Sequence, residues 1–147
     1  MWLTDEQQAL WRDYLAMTGR LQAALNRQLQ RDHGLSLSDY DVLVAISERR
    51  GCRINELGAR LGWEQSRVSH QLRRMQGRDL VERSASPADG RGAQVDLTKA
   101  GAAALVAAAP SHAGLVRSLV FDDMSATQTR AVAGWLAAVL GRLALPD

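Results

Sequence analysis

WEQSRVSHQLRRMQGRDLVER, residues 63–83, carries the strongest structural signal in the chain. Val68, Leu72 and Met75 recur at spacings of four and three, which predicts a helix from about 65 to 77 with one apolar side. Ser66, Arg67, Ser69, His70, Gln71, Arg73 and Arg74 occupy its other faces. A helix of this size enters the major groove of duplex DNA, where such side chains hydrogen-bond base edges and phosphates. The same pattern also describes a solvated amphipathic helix, so the flanking sequence has to decide between the two.

Upstream, Ile54, Leu57 and Leu61 mark a two-turn helix that Gly62 ends. Before that, Ser38 and Asp41 have the spacing of a capping box and precede Val42, Leu43 and Ile46, with Gly51 closing the element. Downstream, residues 80–83 and 94–97 are short strand candidates around SASPADGRGA, which consists almost wholly of turn formers. Two short helices with a tight glycine turn, followed by a two-stranded ribbon, describe a winged helix-turn-helix over about residues 35–98. The expected fold is mainly α with a small β wing.

The flanks are helical. Thr4 and Gln7 form a capping box for a helix reaching about residue 30, with Leu10, Tyr14, Met17, Leu21 and Leu25 along one stripe and Trp11 widening it. His33-Gly34 ends it. Thr98 should cap an alanine-rich helix, which Pro110 should end or kink because proline lacks the amide the helix needs. Helix is expected to resume near Ser111. Ser125 and Gln128 then open a last helix with Val132, Trp135, Leu136, Val139 and Leu143 on one side. The helices over about 4–31 and 111–145 thus carry more apolar surface than so small a domain would hide. Burial against a second copy makes them dimerisation helices flanking the winged unit.

Size and charge agree with one domain over residues 1–147. The chain has 46% apolar and 23% charged residues, a globular balance. Its net charge of +2 is unevenly spread: residues 53–91 hold eight arginines and five acids, a net +3, so the rest nets −1. A basic middle is the footprint of a nucleic-acid binder. Seventeen of the 18 basic residues are arginine, a bias that a GC-rich genome would also produce. The expected address is the cytoplasm, without membrane contact, since no apolar run reaches spanning length and the first residues lack a signal-peptide pattern.

Residues 35–101 resemble the MarR family of winged-helix regulators, on WEQSRVSHQLRRMQGRDLVER, then SPADGRG, then VDLTKAG. The helix layout extends the likeness over nearly the whole chain. The resemblance implies a recognition helix at 65–77 and a wing carrying an aspartate and an arginine two residues apart, here Asp89 and Arg91. Arg91 would enter the minor groove, and Asp89 would orient it. It further implies a homodimer on a palindromic operator, and repression relieved by a small, often aromatic ligand. The family's ligand site makes Trp11, Tyr14 and Tyr40 candidate pocket residues, although aromatic residues serve equally as core or interface. Asp79 departs from the pattern, which has glycine just before the leucine-valine pair.

Neither a catalytic site nor a metal or other cofactor is expected. His33, His70 and His112 are widely spaced and lack ligand partners, and His70 reads better as a DNA donor. Cys52 is read as a packed thiol ahead of a redox sensor. Transcription activation by the same fold, or an interaction protein that has kept the fold without DNA binding, are the alternatives.

Overall fold

The computed structural model describes residues 1–85 and 93–144. They fall into two compact units, one spanning Met1–His112 and the other beginning at Ala113. In chain order the elements are α1 (Asp5–His33), α2 (Leu37–Ser47), β1 (Cys52–Arg53), α3 (Ile54–Leu61), α4 (Gln65–Gly77), β2 (Val81–Ala85), β3 (Ala93–Leu97), α5 (Lys99–Val116), a π-helical turn (Arg117–Phe121) and α6 (Ala126–Leu143).

Local chemistry sets most of the boundaries. Thr4 and Gln7 exchange the reciprocal bonds of a capping box at the start of α1, and Gly34, at φ 65°, closes it. Ser125 and Gln128 do the same for α6. The box expected at Ser38 and Asp41 lies two residues earlier: the Ser36 hydroxyl accepts from the Asp39 amide at 2.9 Å, and the Asp39 carboxylate accepts from the Ser36 amide at 2.9 Å. Helix α2 thus starts at Leu37, and its Tyr40, Val42, Leu43 and Ile46 are buried in the core.

That core belongs to the winged unit. Leu29 of α1, Val42, Leu43 and Ile46 of α2, Leu57 of α3, Val68, Leu72 and Met75 of α4, and Val81 and Val95 of the sheet form one buried cluster. Each large side chain hidden in this way contributes about 1.5–3 kcal/mol. The sheet is antiparallel in the order β1-β3-β2, with Cys52 opposite Val95 and Arg83 also opposite Val95 on the other edge. The wing is therefore three-stranded; β1 was not anticipated because two residues show no alternation. Cys52 is fully buried and burial pushes its thiol pKa up, which favours the packing role over redox sensing.

Asp79 is the only non-glycine residue with positive φ, 57°, among the described residues. It stands just past α4, where the Leu80 amide donates to the Met75 carbonyl and the Asp79 amide to the Gln76 carbonyl, both at 3.0 Å. These are the paired bonds of a Schellman cap, whose left-handed position suits glycine. Asp79→Gly should therefore raise stability by about 0.5–1 kcal/mol, read as a higher denaturation midpoint in urea; a lower midpoint would contradict a strained corner.

Two expectations about the α5 region need correction. Pro110 does not end the helix, which runs unbroken to Val116. Buried Ala108, the Ser111 hydroxyl bonded to Gln28 at 3.1 Å and His112 packed on Tyr40 anchor the segment on both sides of the missing amide. The irregularity comes later, in the π turn, where the Asp122 amide reaches back to the Arg117 carbonyl. Lys99–Phe121 is also long and apolar enough, by length and composition, to cross a bilayer. Its alanines raise the hydropathy without forming a run of large apolar side chains. Within this span only Gly101 and Ala108 are buried in the single chain, both in the part that belongs to the winged unit.

Candidate nucleic-acid interface

A tight turn sets α3 against α4. Gly62 ends α3 in the left-handed conformation, φ 68°, a position that glycine occupies without steric cost. The Trp63 amide then returns to the Gly58 carbonyl at 3.0 Å. Helix α4 begins at Gln65 and ends at Gly77, the bounds expected from its apolar spacing. Val68, Leu72 and Met75 are buried, so the opposite face is fixed outward.

Ser66, Arg67, His70, Arg73 and Arg74 are exposed there, at successive offsets of one, four, seven and eight residues. Those offsets lie along one side of a helix with 3.6 residues per turn. Ser69 is half-buried at the edge of this stripe. The helix contains no acidic residue, and among the described residues no acid pairs with Arg73 or Arg74. The outcome is a strip of cationic and hydroxyl groups with no internal neutralisation, the composition that phosphate and base edges attract.

Arg67 is held rather than loose. Its guanidinium lies over the Trp63 ring, 3.8 Å from the centroid, a cation–π contact that orients the side chain. Trp63 was not singled out in the sequence, though its place four residues before Arg67 could have suggested the stacking. Asp41 is nearby on α2. Burial raises its carboxyl pKa, and the Arg67 charge works against that rise.

Gln71 does not belong to the exposed face. It is 7% exposed, and its side-chain amide donates to the Asp39 carboxylate at 2.6 Å. The residue sits between Val68 and Leu72 on the core side, where its polarity serves an internal bond. Asp89 and Arg91 lie outside the described residues.

The three aromatic candidates are not brought together. Trp11 and Tyr14 stack on each other along α1, with centroids 5.3 Å apart, and Trp11 is half exposed. Tyr40 packs on His112 at 4.2 Å. Tyr40 also borders an open groove of about 450 Å³ with Asp41, Val44, Glu48, Arg60 and Leu61. Arg60 is tied down within it by the Ala45 carbonyl and the Glu48 carboxylate.

The MarR family model matches residues 33–92. No curated protein matches the chain. Among solved structures, it is similar to AbsC, a MarR family transcriptional regulator from Streptomyces coelicolor, at 32% identity and TM-score 0.91 over 97% of each chain. It is similar to Sco3205, a MarR family transcriptional regulator from Streptomyces coelicolor solved in complex with DNA, at 34% identity and TM-score 0.94. That match covers all of this chain and 94% of the other. BldR from Sulfolobus solfataricus, at 23% identity and TM-score 0.81 over 97% and 99%, shares the fold. On the two matches above 30% identity over nearly the full length, the chain belongs to the MarR family of winged helix-turn-helix transcriptional regulators.

Proposed function

We propose that this regulator is a single-domain cytoplasmic repressor that binds a near-palindromic operator as a homodimer, with one α4 in each of two major grooves. The observation that carries the reading is the acid-free stripe of Ser66, Arg67, His70, Arg73 and Arg74 on a helix whose other side is locked in the core. Half-sites would lie about 34–36 Å apart, or a small multiple of that. That Sco3205, 34% identical to this chain, was solved in complex with DNA supports DNA as the partner. Repression relieved by a small aromatic ligand follows the family resemblance, and the groove beside Tyr40 offers such a ligand an aromatic wall.

The roles within α4 separate by position. Arg67, fixed over Trp63, reads a base, with Ser69 and His70 beside it; Arg73 and Arg74, further along, grip phosphate. Arg67→Ala should cost about 1–3 kcal/mol on the preferred operator and relax preference at one base-pair position. Arg73→Ala or Arg74→Ala should weaken all duplexes about equally and lower the salt dependence, since fewer counterions are released. Binding titrations of the wild type and these variants over single-base operator variants at several salt concentrations test this. Wild-type binding without preference over scrambled duplex would refute the regulator reading, and uniform loss in Arg67→Ala would refute the base-reading role.

A further inference from the structure

One buried carboxylate joins α2 to α4, and Arg78 extends the link to the end of α1. Asp39, in the first turn of α2, is 3% exposed, far below what an acid usually tolerates. One of its oxygens accepts from the Ser36 amide at 2.9 Å and from the Arg78 guanidinium at 2.8 Å; the other accepts from the Gln71 side chain at 2.6 Å. The second arm of Arg78 donates to the Gly34 carbonyl, just past the end of α1, at 2.6 Å. Helix capping alone would need only the Ser36 bond. The remaining contacts all run to α4 or to the residue that follows it.

We propose that Asp39 is a positioning residue for DNA recognition, which fixes the rotation and tilt of α4 against α2 through Gln71 and Arg78, with Arg78 extending the link to the end of α1. This rests on the reading of α4 as the recognition helix. Gln71 and Arg78 are seven residues apart, about 10 Å along the helix axis, so α4 is held at two points. Tilt and rotation are both restricted in that way, whereas one contact would leave rotation free. The readers Arg67 and His70 project from the exposed side of a helix about 10–12 Å across, so angular play at Gln71 becomes displacement at the bases. Recognition needs placement within roughly 0.5 Å and 10–20°. Apolar packing by Val68, Leu72 and Met75 supplies the attraction, but apolar contacts are not directional. Hydrogen bonds to a buried carboxylate are directional, and the Gln71–Asp39 bond is buried from solvent.

A polarity swap tests the tether. Gln71→Glu sets two carboxylates against each other in the core and should lower operator affinity at least tenfold. It should also speed amide exchange across residues 65–77 in the DNA-free protein. Adding Asp39→Asn restores a donor opposite an acceptor and returns the chain to its original net charge. The double variant should recover affinity to within about threefold of wild type, together with slow exchange. Failure of Asp39→Asn to rescue Gln71→Glu would overturn the proposal, since a Gln71 that touched DNA directly would not be repaired from α2. Should Gln71→Glu not fold, Arg78→Lys decides. It keeps the charge, but one ammonium cannot replace the two-armed fork. Arg78→Lys should lower operator affinity about fivefold while leaving affinity for scrambled duplex unchanged, and should speed exchange at the end of α4. Loss of thermal stability with an unchanged ratio of the two affinities would show a structural role only. Exchange in the free protein decides the tether even if no duplex is preferred, an outcome that would count against the regulator reading instead.

Discussion

Replacing Gly101 with alanine should cost about 3 kcal/mol of stability and lower the thermal midpoint by roughly 10 °C. Gly101 is the third residue of α5, and its amide donates to the Thr98 hydroxyl at 2.9 Å. Thr98 is itself pinned to the corner after α4. Its amide donates to the Leu80 carbonyl at 3.2 Å, and its hydroxyl donates to the Asp79 carbonyl at 2.6 Å. A Cβ on residue 101 would overlap the Leu80 carbonyl oxygen and stand 2.9 Å from the carbonyl carbon and 3.3 Å from the Leu80 Cα. All three are backbone atoms, so no rotamer change relieves the contact. Either α5 lifts from the sheet or the start of β2 moves, and Leu80 and Val81 are both buried. Alanine's better helix propensity, about 1 kcal/mol, is too small to reverse the sign. Gly114→Ala, in the same helix with nothing within 4 Å of the added methyl, isolates that propensity and should stabilise slightly. Thermal unfolding followed by circular dichroism compares the two. A midpoint for Gly101→Ala within about 3 °C of wild type would mean that α5 does not sit against Leu80.

Why some of this was legible and some was not follows from the range of each interaction. Helix α4 was readable to its ends because Val68, Leu72 and Met75 repeat within two turns and Gly77 follows. Helix α3 was readable on Ile54, Leu57 and Leu61 for the same reason. Gln71 misled because its type is polar while its position, three after Val68 and four before Met75, is a core position. The partner that makes burial affordable is Asp39, 32 residues upstream, and local spacing carries no trace of it. The capping box failed differently: Ser36-Asp39 and Ser38-Asp41 have identical spacing. In the structure Asp39 of the first pair is buried and bonded to Gln71 and Arg78, long-range contacts that spacing does not reveal. The missing amide of Pro110 is a local property, whereas the anchors at Ala108, Ser111 and His112 that carry the helix through it are tertiary. The family resemblance agrees with a helix at 65–77 followed by a small sheet, yet it could not show that Arg67 rests on Trp63 or that Arg78 reaches the end of α1.

Leu136→Glu should convert the dimer to a monomer and reduce operator affinity at least a hundredfold, the scale set by losing one of two linked binding arms. None of residues 113–144 is buried in the single chain. On α6, Val132, Trp135, Leu136 and Leu143 keep exposures of 40%, 47%, 43% and 70%. With Val139 they form one stripe at offsets of three, four, seven and eleven residues, too regular and too apolar for a helix meant to face water. On α1, Leu10, Trp11 and Met17 are similarly open, at 68%, 50% and 55%. A second copy of the chain can cover such surfaces by twofold symmetry, in which each patch meets its own counterpart. Leu136 lies within the α6 stripe, so a glutamate there would put a charge, and its symmetry mate, into a desolvated interface. Ala137→Glu adds the same charge one residue further on, about 100° round the helix and off the stripe, and should leave assembly intact. Light scattering should give twice the 16.1 kDa chain mass for wild type and Ala137→Glu, and the single mass for Leu136→Glu. Circular dichroism checks that the monomer is still helical. A wild-type monomer at micromolar concentration would refute the dimer itself. A dimeric Leu136→Glu with undiminished operator affinity would instead move the interface away from this stripe, leaving the two winged units to be spaced by other helices.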